Sequence, residues 1–326
     1  FQAEDGIRDS VNGLVGSEMC IRDRDYSNAP VVEIDGSDLS AEIGDNYDGL
    51  VLDTGSDGST IRGLSITGFT DGGAYGEAID VWSSWNTIVG NYVGLAPNGA
   101  TADGNRTGIV LKSGNNTVGG TGAADRNVIA ANTYGAIAIH TDPADNNRVI
   151  GNYIGVAADG TTELANAQGV VVWDLADDNV IGGVNPGEGN LIVGGTKGVN
   201  VDTTADDTAV LGNTIYGQTL VGIDLDWDGL TVNDLSDADI GPNDLLNFPE
   251  LGSVSQIGAD LDVTFDLDVP AGDYRIEFFD NPNGNGPSGH GGGEVFLGAV
   301  TVTHEGGGAQ PFSETLVGVT ATAVDR

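Results

Sequence analysis

The sequence predicts an all-β protein, a parallel β-helix solenoid followed by a small antiparallel β-sandwich. Three observations carry this. A nine-residue rung, Asn-Arg-Val-Ile-Gly-Asn-Tyr-Ile-Gly at Asn147–Gly155, returns at Asn86–Gly94 and, more loosely, at Ala209–Gly217. The central asparagines Asn91, Asn152 and Asn213 lie 61 residues apart both times. Between them runs a series of short alternating segments: Ala78–Val81, Gly108–Leu111, Ala136–Ile139, Gly169–Val172, Gly198–Val201 and Gly222–Leu225. Their second residues are 30, 28, 33, 29 and 24 positions apart. Beyond residue 247 the apolar period becomes two over long runs. A fixed period marks stacked units that bury a core only against their neighbours.

One coil is therefore about thirty residues, and two coils make the 61-residue unit. Each coil supplies short strands that pair in parallel with their copies at roughly 4.8 Å per rung, so six or seven rungs make a cylinder on the order of 30 Å long. Val31–Asp35, Gly49–Asp53 and Thr60–Ile66 open the series between Gly, Asp and Ser corners. Alternation points Ile109 and Leu111 inward and Val110 and Lys112 outward. Insertions at Ala96–Arg106 and Ala157–Gln168 fall at the same corner of alternate coils. Inward Asn91, Asn152 and Asn213 are placed to stack as a ladder along the axis. The solenoid spans 25–246. After the acidic stretch 224–244 come Asp260–Val269, Tyr274–Phe279, Val295–Thr303 and Gly318–Val324, alternating strands between Gly, Pro and Asn turns, so 247–326 reads as the sandwich.

The rung at Asn86–Gly94, the pair Asn115–Gly120 with Arg126–Ile129, and Gly58–Phe69 resemble the coils of right-handed parallel β-helix (pectate-lyase-like) proteins, especially large bacterial surface proteins. The resemblance covers roughly residues 30–246. It implies the coil type and no single activity, since that superfamily holds lyases, hydrolases, epimerases, adhesins and inert stalks. The second domain resembles the Ig-like modules that follow such helices, here incomplete at its C-terminus. Residues 1–24 carry two similar pieces, Gly6–Asp9 and Cys20–Arg24, and none of the repeat; they resemble translated sequencing-adapter read-through and are set aside.

The chain holds 49 acidic and 11 basic residues, a formal charge of −38. Such a surface repels nucleic acid and anionic membranes and favours divalent cations. No apolar run is long enough to span a membrane. The one cysteine, Cys20, lies in the segment set aside, so no disulfide or zinc-thiolate framework is expected. The reading is a secreted or cell-surface piece of a larger chain, monomeric, with a polysaccharide or cell-surface glycan as the partner.

Chemistry is expected on the outward face of the alternating series. One position past each inward pair stand Trp82, Lys112, His140, Trp173, Asp202 and Asp226; one column over stand Asp80, Val110, Ala138, Val171, Asn200 and Asp224. Trp82, Trp173, Asn200 and Asp80 have the residue types of a sugar groove, an aromatic ring for the apolar sugar face and polar groups for hydroxyls. Alternatively the two tryptophans pack under neighbouring corners. For catalysis, Asp202 with Asp226 on the next rung would form a carboxylate pair about 5 Å apart. His140 would be the base and Lys112 the anion stabiliser. The polygalacturonase set is matched only superficially by Asn200–Asp202, Asp206–Asp207 and Gly289–Gly291, since the Gly-His-Gly lies in the second domain. Arg62, Arg106, Arg126 and Arg148 read as corner positions, away from where a lyase base would stand. Asp224, Asp226 and Asp228 before Gly229 have the spacing of a calcium-loop start, with Leu235 where the closing glutamate would be. Asp234, Asp237 or Asp239 could complete a structural calcium site, and Asp226 would serve either calcium or catalysis.

Overall fold

The computed structural model describes residues 7–9, 29–39, 47–70, 76–202, 204–284, 286–287, 289 and 292–321. It is an all-β chain, a parallel β-solenoid of about six turns with antiparallel sheets after it. Three sheets form the walls. The first stacks Leu50–Leu52, Glu77–Val81, Thr107–Leu111, Gly135–His140, Val170–Trp173, Lys197–Val201 and Val221–Leu225, with Ile7–Asp9 antiparallel at its edge. The second has six strands, from Thr60–Arg62 to Ala209–Leu211, and the third seven, from Val32–Asp35 to Thr214–Tyr216. Register holds residue for residue between coils: Ile79 pairs with Ile109, Ile109 with Ile137, Ile137 with Val170, and Val170 with Val199.

Alternation assigns the core. Ile79, Val81, Ile109, Leu111, Ile137, Ile139, Val170, Val172, Val199 and Val201 are fully buried. The last rung differs: Ile223 has the inward parity yet is 44% exposed, because no coil follows beneath it. The insertions form two small bridged arms, Leu95 to Ala102 and Val156 to Glu163, which stack through Ala158 N donating to Gly99 O at 2.8 Å. The repeated glycine that ends each long rung is set by close approach. Gly94 and Gly155 have φ of +85° and +81°, and a Cβ there would lie 2.0 Å from the Ala130 or Val193 carbonyl oxygen.

Asparagines turn the corners. Asn91, Asn127, Asn152, Asn190 and Asn213 form one ladder, each backbone N–H donating to the next side-chain Oδ1 at 3.0, 3.3, 2.9 and 3.0 Å. A second runs through Asn86, Asn116, Asn147 and Asn179 at 2.9, 2.8 and 2.9 Å. A third joins Asn105, Asn132 and Asn166 at 3.1 and 3.0 Å. Each ladder satisfies corner amides that the short strands leave inside the protein.

The second unit pairs Glu250–Ile257, Asp260–Leu267 and Gln310–Leu316 in one sheet and Gly272–Asp280 with Val295–His304 in another. Glu250–Ile257 escapes the alternation rule because most of it is exposed, and Gln310–Leu316 because Pro311 argues against a strand. Residues 318–321, expected as the last strand, take no strand conformation, and 322–324 lie outside the described residues. The junction is bonded. Thr208 N donates to Asn243 Oδ1 at 2.8 Å, Gly212 N to Glu277 Oε2 at 2.8 Å, and Ile215 N to Gly293 O at 2.8 Å. No helix among the described residues is long and apolar enough to cross a membrane.

Candidate functional site

Strand alternation places Asp80, Val110, Ala138, Val171, Asn200 and Asp224 outward, yet all six are buried. The polar members at the two ends of this column are closed by charge. Lys112 Nζ lies 2.9 Å from Asp80 Oδ1, Trp82 Nε1 donates to Asp80 Oδ2 at 2.6 Å, and the same ammonium sits 4.4 Å over the Trp82 ring. Burial raises the Asp80 carboxyl above its ordinary range, and the Lys112 charge opposes that. At the other end Lys197 Nζ pairs with Asp224, donates to Trp227 O at 3.1 Å and to Asn200 Oδ1 at 3.3 Å, and lies 4.7 Å over the Trp227 ring. Gly229 N donates to Asp224 Oδ1 at 3.2 Å. Buried ion pairs of this kind hold their partners in place.

His140 and Trp173 are register partners on adjacent rungs, and their rings stack at 4.6 Å with 7° between planes. That separation is close to one rung, so the ring faces point largely along the solenoid axis and their edges face outward. Burial, then the Lys112 charge, lowers the His140 pKa to about 4, so its imidazole is neutral and a weak base at pH 7. Lys112 is held by Asp80. Of the expected catalytic set, Asp202 and Asp226 remain neighbours, one step past the paired Val201 and Leu225. Burial and then the charges of Asp228, Asp202 and Asp224 raise the Asp226 carboxyl. The arginines are engaged at corners: Arg62 with Asp125 at 2.7 Å, Arg148 with Glu188 at 2.9 Å, Arg106 over Tyr134 and Arg126 over Tyr153. His290 and Gly291 lie outside the described residues.

The corner between the first and second sheets carries more than those two columns suggest. All four tryptophans of the chain stand on it or at its edge, and none is in the core. Trp82 is 45% exposed, Trp85 67% and Trp227 38%, and Leu175, on the same corner of an intervening coil, 50%. Trp85 occupies the left-handed position just before the ladder asparagine, with φ of 63°. The equivalent residues on later coils are Asn115, Asn146, Asp178 and Asp207, at 63°, 59°, 55° and 53°. Asparagine and aspartate tolerate this conformation; a bulky ring does not favour it. Leu175 and Trp227 share the strain, at 64° and 62°. Trp85 was visible in the sequence as the one large residue at an Asn/Asp corner position, a signal available only once the ladder is aligned.

For a cation, the geometry gathers other carboxylates than the calcium-loop spacing does. Asp234, Asp237 and Asp239 each offer an oxygen within 4.8 Å of the others, the one such trio among the described residues. Asp224 is occupied by Lys197 and Gly229. Asn247 N donates to Asp237 Oδ1 at 2.7 Å and Ala238 N to Asp234 Oδ1 at 3.0 Å, fixing the loop. The Asp239 Oδ1 atom is buried without a hydrogen-bond partner, as is Asp268 Oδ1, whose residue bonds the Ser236 amide of the same loop through Oδ2. Burial raises the Asp237 carboxyl, with Asp239 and Asp234 adding to it. Hard oxygen donors at this density fit calcium.

A cavity of about 610 Å³ lies between the open end of the solenoid and the second unit, walled by Ile215, Ile223, Leu230, Phe248 and Phe279 with the Arg275–Glu277 pair beside them. No family model matches the chain, and no curated protein matches it.

Proposed function

We infer that the chain is a non-catalytic glycan-binding β-helix of the pectate-lyase-like type, working at or outside the cell surface as a rigid adhesive element. The observation that carries this is the exposure of Trp82, Trp85 and Trp227 on one corner, two of them in a strained backbone conformation. Exposed, strained aromatic residues contribute little to a core and are suited to covering the apolar face of a sugar. The second unit is read as an Ig-like module, the whole as a monomer, and Asp234, Asp237 and Asp239 as a structural calcium site stiffening the linker.

The test is binding of the full chain to a panel of soluble oligosaccharides, with Trp82→Ala and Trp85→Asn as variants. Binding lost in both variants supports the reading, and no binding to any member removes it. The alternative, a lyase or hydrolase acting through Asp202 and Asp226, predicts new reducing ends that disappear in Asp202→Ala. Calcium is tested separately by thermal unfolding with and without chelator. An unchanged midpoint, or a calcium shift that survives Asp237→Asn, removes the metal site.

A further inference from the structure

The corner that carries the tryptophans is also strongly one-signed. Over its segments 53–59, 82–86, 112–116, 140–147, 173–179, 202–208 and 226–229 there are twelve aspartates and no glutamate. Against these stand Lys112, which Asp80 neutralises, and His140, which is uncharged at pH 7. Asp142, Asp174, Asp178, Asp206, Asp207 and Asp228 are exposed. The charges crowd one another: Asp206 raises the Asp207 carboxyl, helped by burial and by Asp178, Asp177 and Asp244. An anionic sugar laid along the corner toward Trp227 would meet this field, eight of whose twelve aspartates lie in 173–179, 202–208 and 226–229, and be repelled. An ammonium would be attracted twice, by the carboxylates and by the ring faces, as Lys112 on Trp82 and Lys197 on Trp227 already show within the chain.

We propose that the tryptophan corner binds a polysaccharide carrying free amines, a deacetylated hexosamine polymer, in preference to the N-acetylated form, and excludes polyuronates. The sugar's apolar face covers an exposed indole while its ammonium groups pair with the aspartates along the corner. Repeating coils make this match extendable. Each rung adds a corner segment at roughly 4.8 Å, and the four successive segments from 140–147 to 226–229 each carry aspartates, so a chain laid along the axis between Trp85 and Trp227 meets acidic groups over that stretch. This assignment rests on the glycan-binding reading and narrows it to one chemistry.

The experiment is calorimetric titration of the full chain with short soluble oligomers: glucosamine, N-acetylglucosamine, galacturonate and lysine. Wild type is compared with Trp85→Asn, which installs the residue found at Asn115 and Asn146, and with Asp178→Asn/Asp207→Asn. Circular dichroism checks that each variant keeps its fold. The expected result is glucosamine bound about tenfold or more tighter than its acetylated form at low salt, with the advantage shrinking at about 0.5 M salt. Trp85→Asn should weaken both sugars, and the aspartate variant only the amine form. Equal affinity for the two sugars, both lost in Trp85→Asn, would overturn the charge preference and leave glycan binding standing. Amine binding indifferent to Trp85→Asn, or lysine oligomers bound as tightly as glucosamine, would reduce the effect to polyelectrolyte attraction and overturn the proposal. Binding of no sugar would remove both.

Discussion

Replacing Asn152 by alanine tests the asparagine ladder at its centre. Asn152 Oδ1 accepts from Asn127 N at 3.3 Å and Asn127 Nδ2 at 2.9 Å, while its Nδ2 donates to Val118 O at 2.9 Å, Ile150 O at 3.1 Å and Asn190 Oδ1 at 3.0 Å. Two of these partners are insured. Asn127 Nδ2 keeps Ile88 O at 2.8 Å, and Asn190 Oδ1 keeps the residue-152 amide at 2.9 Å. The Asn127 amide and the Val118 carbonyl lose their side-chain partner inside the protein. At about 1–3 kcal/mol for each of these two buried groups left unmade, the loss should be about 2–6 kcal/mol. Asn98 is the control: it bonds Ala100 N and Thr101 N in an exposed arm, and Asn98→Ala should cost within about 1 kcal/mol. The assay is the urea midpoint, together with hydrogen exchange at the Asn127 amide, which should accelerate only in Asn152→Ala. Asn152→Asp sharpens the test, since an ionised oxygen would face three acceptors; it should be worse than alanine at pH 7 and recover as pH falls toward about 4. Equal midpoints for Asn152→Ala and Asn98→Ala would refute the ladder's contribution.

Three further outcomes are expected. Nuclear magnetic resonance of His140 should give a titration midpoint near 4. Because its folded pKa is lowered from 6.5, its contribution to stability is lost as pH falls from about 6.5 through 4; a midpoint at or above 6.5 contradicts the buried stack. Burial and the neighbouring Asp48 carboxyl raise the Glu77 pKa from 4.5 to about 8, so its contribution is intact below 4.5 and is lost as pH rises through 8. Glu77→Gln should flatten the thermal midpoint across that window, and an unchanged slope would count against it. Lys197→Met should cost about 3–5 kcal/mol by stranding Asp224, with much of it restored in Lys197→Met/Asp224→Asn, read by urea denaturation. A double variant no better than the single one would show that Asp224 is not the stranded group.

The solenoid was legible because burial repeats. Every coil must put Ile, Val or Leu at the same step, so the period survives changes of loop length. The ladder through Asn91, Asn152 and Asn213 was half legible. Asn127 and Asn190 interleave with it on coils whose surrounding letters differ, and only pairing distances reveal one column. The candidate site was less legible for a different reason. Parity says which way Asp80 and Asn200 leave the strand, and nothing about what closes over them. Lys197 and Lys112 bond across coils to partners 27 and 32 positions away, which spacing alone does not mark. The acidic trio is similar, since Asp234, Asp237 and Asp239 converge through a loop whose shape depends on Asn247 and Asp268.

The bonds that Asn243, Glu277 and Gly293 make to the final rung bear on the state of association of the whole molecule. A stacked parallel sheet ends in a row of unpaired amides and carbonyls that any similar strand can join, and Val32–Asp35 and Thr60–Arg62, which open the third and second sheets, are such strands. Those three contacts put side-chain and backbone groups of a differently shaped unit where a further coil would dock. The downstream segment thereby caps the last coil. Cutting the protein after the last coil should free that edge, and sedimentation should show the shortened chain associating end to end more than the full chain does.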